Sequence, residues 1–276
     1  VAIYGVGLLG GSIAAALKQR RLARRVIGIG RNAERLQAAV DAGLLDDFAV
    51  DACVTDRDWN VVIVGTPVDR IAGDVRSLGA VSKPGTIITD VGSVKAPILE
   101  ALGTRLEVAP GVEFVGSHPL AGSEKRGFEA ARPELFQNRV TVVTPAASNS
   151  TAAVETITAF WQSLGSRVVT MSAGEHDRAL ATTSHLPHVA AAALAAILQP
   201  EQRPLAASGF RDTTRIAAGD PDLWVAILLA NRDAVLNSLG ELTASLQTFE
   251  NAIRDDDESR LREALQTAKR HRDALS

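Results

Sequence analysis

Ten residues at the start narrow the possible folds more than anything after them. Val1-Ala-Ile-Tyr4 reads as a buried strand, Gly5-Val6-Gly7-Leu8-Leu9-Gly10 follows at once, and an apolar-periodic stretch from Ser12 to Leu17 reads as a helix. G-x-G-x-x-G alone is a weak pattern. Between a strand and a helix it marks the phosphate-binding turn of a dinucleotide-binding unit. Gly5 permits the tight turn, Gly7 lets backbone approach a pyrophosphate, and Gly10 lets the helix pack on the strand. The helix start, with Val6, Leu8 and Leu9 in the same loop, offers free N–H groups and a positive dipole end to phosphate.

The pattern then repeats. Val26–Ile29, Val61–Val64 and Thr86–Thr89 read as short apolar strands, separated by helical stretches such as Ala33–Ala42 and Val94–Leu102. Further strands are expected at Glu113–Gly116, Arg139–Thr144 and Arg167–Thr170, with a helix over Thr151–Leu164. Continuous apolar strands between helices imply a mostly parallel sheet covered on both faces. After Ser172 the strand signals stop. Glu175–Leu198, Leu223–Arg254 and Glu258–Leu275 are rich in Ala and Leu at helical spacing, interrupted by Pro187, Pro200, Pro204 and Pro221. The expectation is therefore an α/β class chain: a doubly wound nucleotide-binding domain over residues 1–172, then an all-α domain over 173–276. The helical part is small for a core of its own, so its apolar helices are expected to pack against a second copy.

Composition excludes several function classes. With 276 residues, a formal charge of −3 and 46% hydrophobic content, the chain is neither disordered nor a basic nucleic-acid binder. Its longest apolar stretch, Val189–Leu198, is too short for a bilayer. A single cysteine, Cys53, leaves no internal disulfide and fits a reducing, cytoplasmic setting. The chain begins at Val1, so an upstream targeting segment stays open.

The cofactor is expected to be NADP, with NAD as second choice. Where an acidic residue would bind a ribose 2′-hydroxyl, the chain has Gly30-Arg31-Asn32. No carboxylate stands there to repel a 2′-phosphate, and Arg31 can grip one bidentately, the alternative being a solvated surface charge. Thr66 and Pro67 follow a strand at the carboxyl edge of the sheet and are expected to touch the cofactor, although Pro67 alone suits an ordinary turn.

His118 lies in the Gly-rich stretch Val115–Gly127, read as a loop leaving a strand, where an imidazole serves as a base near neutral pH. Ser93, in Thr89-Asp-Val-Gly-Ser-Val-Lys95, reads as a helix N-cap, as a hydroxyl shared between His118 and substrate, or as both. In Ser184-His-Leu-Pro-His188 a proline kink can turn His185 or His188 inward, but no spacing suggests a metal site. Arg211 and Arg215, four residues apart, suit a carboxylate ligand, or else salt bridges to Asp212 or Asp220.

With these residues in hand the chain resembles the prephenate/arogenate dehydrogenase family of tyrosine biosynthesis. The resemblance runs along the whole chain through GVGLLGGS, VGTPV, TDVGSVK, GSHPLAGSEKRG, SHLPH, GFRDTTR and DPDLW. It implies a Rossmann-type domain, a helical homodimerisation domain and a cleft between them. It implies oxidative decarboxylation of a cyclohexadienyl acid: hydride leaves the carbon bearing the ring hydroxyl, the ring carboxylate departs as CO₂, and aromatisation drives the step. His118 matches the histidine that draws the hydroxyl proton, Ser93 the serine that orients it, and Arg215 the arginine on a substrate carboxylate. Arg211 is placed to reach in from the neighbouring subunit, Ser123 and Glu124 match the substrate's side-chain end, and His185, His188 and Trp224 line the cleft. Because NADP-using relatives often take arogenate, the expected reaction is arogenate to tyrosine with NADP⁺. Prephenate to 4-hydroxyphenylpyruvate is the alternative. Glu124 is placed to pair with the ammonium that distinguishes arogenate. Two rivals are weaker. A β-hydroxyacid dehydrogenase needs a catalytic lysine in the second domain, where only Lys269 stands, and a non-catalytic NADP sensor leaves His118, Ser93 and Arg215 idle.

Overall fold

The computed structural model describes residues 1–50, 59–103, 107–123 and 125–275. In the first half β1 (Ala2–Tyr4), α1 (Leu8–Gln19), β2 (Ile27–Gly30), α2 (Ala33–Asp41) and β3 (Asp47–Val50) alternate. They are followed by β4 (Val61–Val64), α3 (Val68–Val81), β5 (Ile87–Asp90), α4 (Ala96–Leu102), β6 (Glu107–Ala109) and β7 (Val112–Phe114). These strands form one sheet in the order β3-β2-β1-β4-β5-β7-β6, parallel except for β6, which runs against β7. This is the doubly wound arrangement expected, with the strand order reversing between β1 and β4. Tyr4 is level with Ile29 on one side and Val64 on the other, so Gly5, Gly30 and Gly65 leave the sheet side by side at its carboxyl edge.

The apolar strands are continuous because both faces are buried. Ile3 and Ile63 pack with Ile13 and Leu17 of α1, whereas Ala2, Tyr4, Val62 and Val64 pack with Ile71, Val75 and Leu78 of α3. β3, β6 and α3 are additional to the expected elements. Strand β3 is a partly exposed edge without the apolar density of its neighbours, while the apolar spacing of α3 was present and went unassigned.

A second sheet corrects another expectation. β8 (Gly116–Pro119), β9 (Val140–Thr144) and β10 (Arg167–Thr170) form a separate three-stranded sheet, flanked by α5 (Thr151–Ser163). The single strand expected over Glu113–Gly116 divides at Val115: Phe114 pairs with Ile88 in the large sheet, and Gly116 with Thr144 in the small one. His118 is therefore in a strand, opposite Val142, and not in a loop.

From α6 (Ala173–Leu180) onward the described chain is helical. α6 runs through a π-helical turn at Ala181–His185 into α7 (Leu186–Ala196). Pro187 has no N–H to donate and sits at the start of α7, so the wider turn before it accommodates the missing bond without ending the helix. α8 (Ser208–Thr214), α9 (Pro221–Ala230), α10 (Arg232–Arg254) and α11 (Glu258–Asp273) complete the fold. The one helix expected over Leu223–Arg254 is two, breaking at Asn231. Leu229, Leu236, Leu246 and Ile253 stay exposed along α9 and α10. No helix among the described residues is long and apolar enough to cross a membrane.

Candidate active site

The glycine loop shapes a groove of about 520 Å³ lined by Gly5, Val6, Gly7, Gly30, Arg31, Asn32, Thr66 and Pro67. Gly5 has φ +98°, and a Cβ there would stand 2.7 Å from the Gly65 carbonyl oxygen. A Cβ on Gly10 would stand 2.3 Å from the Gly5 carbonyl oxygen, so helix and strand touch through backbone. By contrast, nothing lies within 4 Å of a Cβ on Gly7, the N-cap of α1, which carries no side-chain cap. The space over the first α1 amides is thus left to a ligand, and a dinucleotide pyrophosphate fits it. Arg31 is exposed and forms no ion pair with any described residue. Asn32 caps α2 by accepting from the Arg35 N–H at 2.9 Å, and the Thr66 hydroxyl donates to Asp74 at 2.6 Å.

A second cleft of about 780 Å³ continues from the loop to the helical half. Leu8, Leu9, Gly10, Ser93, His118, Ser123, His185 and Trp224 line it. His118 is buried, and its Nδ1 lies 2.9 Å from His176 Nε2, while His176 Nδ1 lies 2.7 Å from Asp177 Oδ1. The carboxylate only accepts, so His176 carries a proton on Nδ1; with that as its one ring proton, Nε2 presents a lone pair. His118 must then donate from Nδ1, which leaves the lone pair on its Nε2. Burial, the adjoining His176 and the Lys95 ammonium together hold the His118 pKa well below its usual range, so this base is neutral at pH 7.

Asp177 has a second task. Its carboxylate accepts from the Lys95 N–H at 2.8 Å and the Ala96 N–H at 2.7 Å, capping α4. The capping role that the position of Ser93 suggested belongs to Asp177, and Ser93 is simply a wall of the cleft. The Lys95 ammonium is fully buried against the Asp90 carboxylate and donates to the Ser117 carbonyl oxygen at 2.8 Å. Asp90 also accepts from the Gly92 and Ser117 N–H groups, so the pair is saturated from the backbone.

On the helical side, the His188 and Trp224 rings stack at 3.6 Å and 10°, and His185 meets Trp224 edge-on. Gly219 makes that packing possible, since a Cβ there would stand 2.5 Å from Trp224 Nε1. Burial lowers the His185 pKa to about 4, and His188 moves in the same direction for the same reason. Arg215 lies in an adjoining cleft of about 890 Å³ with Pro67, Ser123, Lys125, Arg126 and Asp220. Asp220 pairs with Arg126 at 2.7 Å, so the alternative of an Arg215–Asp220 bridge is not what forms. Arg211 lines neither cleft, and its Nε donates to the Ala206 carbonyl oxygen at 3.0 Å. Glu124 lies outside the described residues, as does Cys53. Sequence reasoning gave no role to His176, Asp177, Lys95 or Asn231. The adjacent His176-Asp177 pair at the start of a helix was the available signal.

A neutral base facing a cleft, beside a dinucleotide groove at the switch point of a doubly wound sheet, defines an NAD(P)-dependent oxidoreductase. The family models name it more closely. The model for the prephenate dehydrogenase nucleotide-binding domain matches residues 13–170, and that for the prephenate dehydrogenase dimerization domain matches residues 172–267. The chain belongs to the prephenate dehydrogenase family. It is 35% identical to a prephenate dehydrogenase of Bacillus subtilis, over all of this chain and 76% of the relative. It is similar to the crystal structure of Aquifex aeolicus prephenate dehydrogenase with hydroxyphenyl propionate and NAD⁺, at TM-score 0.90 and 30% identity, covering 100% and 97% of the two chains. It is similar also to Synechocystis arogenate dehydrogenase, at TM-score 0.84 and 30% identity, covering 100% and 99%. The lysine required by a β-hydroxyacid dehydrogenase has no counterpart here: Lys269 is exposed on α11 and paired with Asp273.

Proposed function

We propose that this enzyme converts L-arogenate to L-tyrosine by oxidative decarboxylation with NADP⁺, prephenate being the alternative substrate. The observation that carries the reading is Arg31, exposed beside the groove at the end of β2 with no carboxylate partner among the described residues. A 2′-phosphate supplies the charge it lacks, and Arg35 one turn on lines the same groove. For the substrate, the cleft around Arg215 sets Lys125, Arg126 and Arg215 against Asp69, Asp220 and Asp222. Mixed charge of this kind suits an ammonium beside a carboxylate better than a keto acid, which offers only anionic and neutral groups. Glu124 remains the proposed ammonium partner.

Gly5 to Gly10 would hold the pyrophosphate, and Thr66 and Pro67 the nucleotide beyond it. When bound, the nicotinamide supplies the hydride acceptor. His118 takes the ring hydroxyl proton on Nε2, Ser93 orients that hydroxyl, and Arg215 holds a carboxylate. His185, His188, Trp224 and Ser123 close the cleft against water. As hydride leaves the ring carbon, the C–O bond gains carbonyl character. Loss of CO₂ then returns the electron pair to the ring, and the proton held on His118 Nε2 goes back to the oxygen, giving the phenol. The division near residue 172, a homodimer in which Arg211 reaches the neighbouring copy's cleft, and a cytoplasmic setting belong to the same proposal.

Initial rates with arogenate or prephenate, each with NADP⁺ or NAD⁺, test it. Arogenate with NADP⁺ should lead. Arg31→Ala should raise the KM for NADP⁺ by about tenfold or more and leave NAD⁺ unchanged. An equal effect on both cofactors refutes the assignment of Arg31.

A further inference from the structure

We infer that Asn231 is a positioning residue that fixes the proton of His185 on Nε2 and so makes this ring a hydrogen-bond donor to a ligand oxygen. Asn231 is buried where α9 meets α10, with backbone angles that belong to neither helix. Its Nδ2 lies 2.7 Å from the Asp177 carbonyl oxygen and 3.1 Å from His185 Nδ1. A carbonyl oxygen only accepts, so the amide must turn its NH₂ group toward Asp177; the opposite flip would set oxygen against oxygen. The same NH₂ then spends its second proton on His185 Nδ1. His185 Nδ1 is thereby an acceptor, and its proton sits on Nε2.

The consequence lies on the other side of the ring. His185 is almost wholly buried, and its Nε2 has no hydrogen-bond partner among the described residues, although the residue lines the cleft that holds His118 and Ser93. A buried N–H left unpaired is costly, and a ligand oxygen relieves that cost. On the proposed function, on which this inference rests, that oxygen belongs to the cyclohexadienyl substrate. His118 and His185 both line this cleft, His118 with a lone pair on Nε2 and His185 with a proton there. Each polarity is set from Asp177, through its carboxylate for His118 and through its backbone carbonyl for His185.

The direct test is nitrogen-15 NMR of the histidine side chains in the whole protein near pH 7.5. His185 should show a protonated Nε2 and a pyridine-like Nδ1; the reverse pattern overturns the inference, whatever the enzyme turns over. In Asn231→Asp, two acceptor oxygens replace the amide, so the proton should move to Nδ1, and the KM for substrate should rise by about tenfold with kcat changed less. His185→Gln keeps a donor near the Nε2 position. Whatever KM that variant shows, adding Asn231→Asp in its background should leave the value unaltered. If Asn231 serves only the α9–α10 junction, the His185 signals stay as in the parent and the second substitution raises KM in both backgrounds alike. A chain that turns over neither arogenate nor prephenate refutes the proposed function and leaves the NMR result to decide this one.

Discussion

Replacing His176 by Phe and by Gln separates its role in fixing the His118 proton from its role as filling. His176 is fully buried, and His118 Nδ1 has no other hydrogen-bond partner among the described residues. In His176→Phe the Nδ1–H of His118 would be buried and unpaired, at a cost of about 1–3 kcal/mol. The proton therefore moves to Nε2, where the cleft supplies partners, and the base form becomes the minor tautomer. The same 1–3 kcal/mol corresponds to a fall of roughly 5–150-fold in the fraction of competent enzyme, and kcat should drop by that factor with little change in KM. Gln reaches the Nε2 position with a carbonyl oxygen that accepts from His118, while its NH₂ group turns toward the Asp177 carboxylate. His176→Gln should keep kcat within about fivefold of the parent. Both are read from the absorbance of reduced nicotinamide, alongside thermal denaturation to confirm folding. A folded Phe variant with parental kcat, or a Gln variant as slow as Phe, refutes the tautomer argument.

Two further substitutions probe Asp177 and His185. In Asp177→Asn the remaining oxygen can serve both His176 and the Lys95 N–H, which leaves the NH₂ group facing the Ala96 N–H. The tautomer survives and the α4 cap loses its Ala96 half, so Tm should fall by roughly 2–10 °C while kcat changes by less than about tenfold; an unchanged Tm counts against the cap. His185 governs part of the acid stability. Its pKa of about 4 in the fold lies below its usual 6.5, so the unfolded chain binds the proton first as pH falls. The stability is fully present above pH 6.5 and is lost as pH drops toward 4, by roughly 3 kcal/mol. Urea midpoints measured between pH 7.5 and 4.5 should decline less steeply in His185→Gln than in the parent, and parallel declines would rule this source out.

The large sheet and the dinucleotide groove were readable because each rests on local rules. Gly5 must turn with positive φ and Gly10 must admit bare backbone, and the residues flanking them are apolar at strand and helix period. The second sheet was not readable in this way. β7 and β8 are separated by Val115 alone, and only pairing with β5 or β9 tells them apart. His118 and Ser93 stood out through the glycines near them, and the structure puts both on one cleft. His176, Asp177 and Asn231 did not, because each acts through partners distant in the chain: Asp177 lies 81 residues from the helix it caps, and Asn231 lies 46 from the ring it orients.

Those long separations carry a consequence for how the site assembles. Lys95, Ala96 and His118 come from the nucleotide-binding half, and His176, Asp177, His185 and Asn231 from the helical half. Neither half alone fixes where the protons sit. Without Asp177 the first turn of α4 loses its cap, and without His176 the His118 ring is free to present either nitrogen to the cleft. The base acquires its lone pair at Nε2 only when α6 is docked against α4, and the same docking brings the Asp177 carbonyl to the Asn231 amide. Docking and protonation pattern are therefore one event. Fully buried groups such as Lys95 and His176 are tolerated at this junction because each finds a partner, Asp90 for the first and Asp177 for the second.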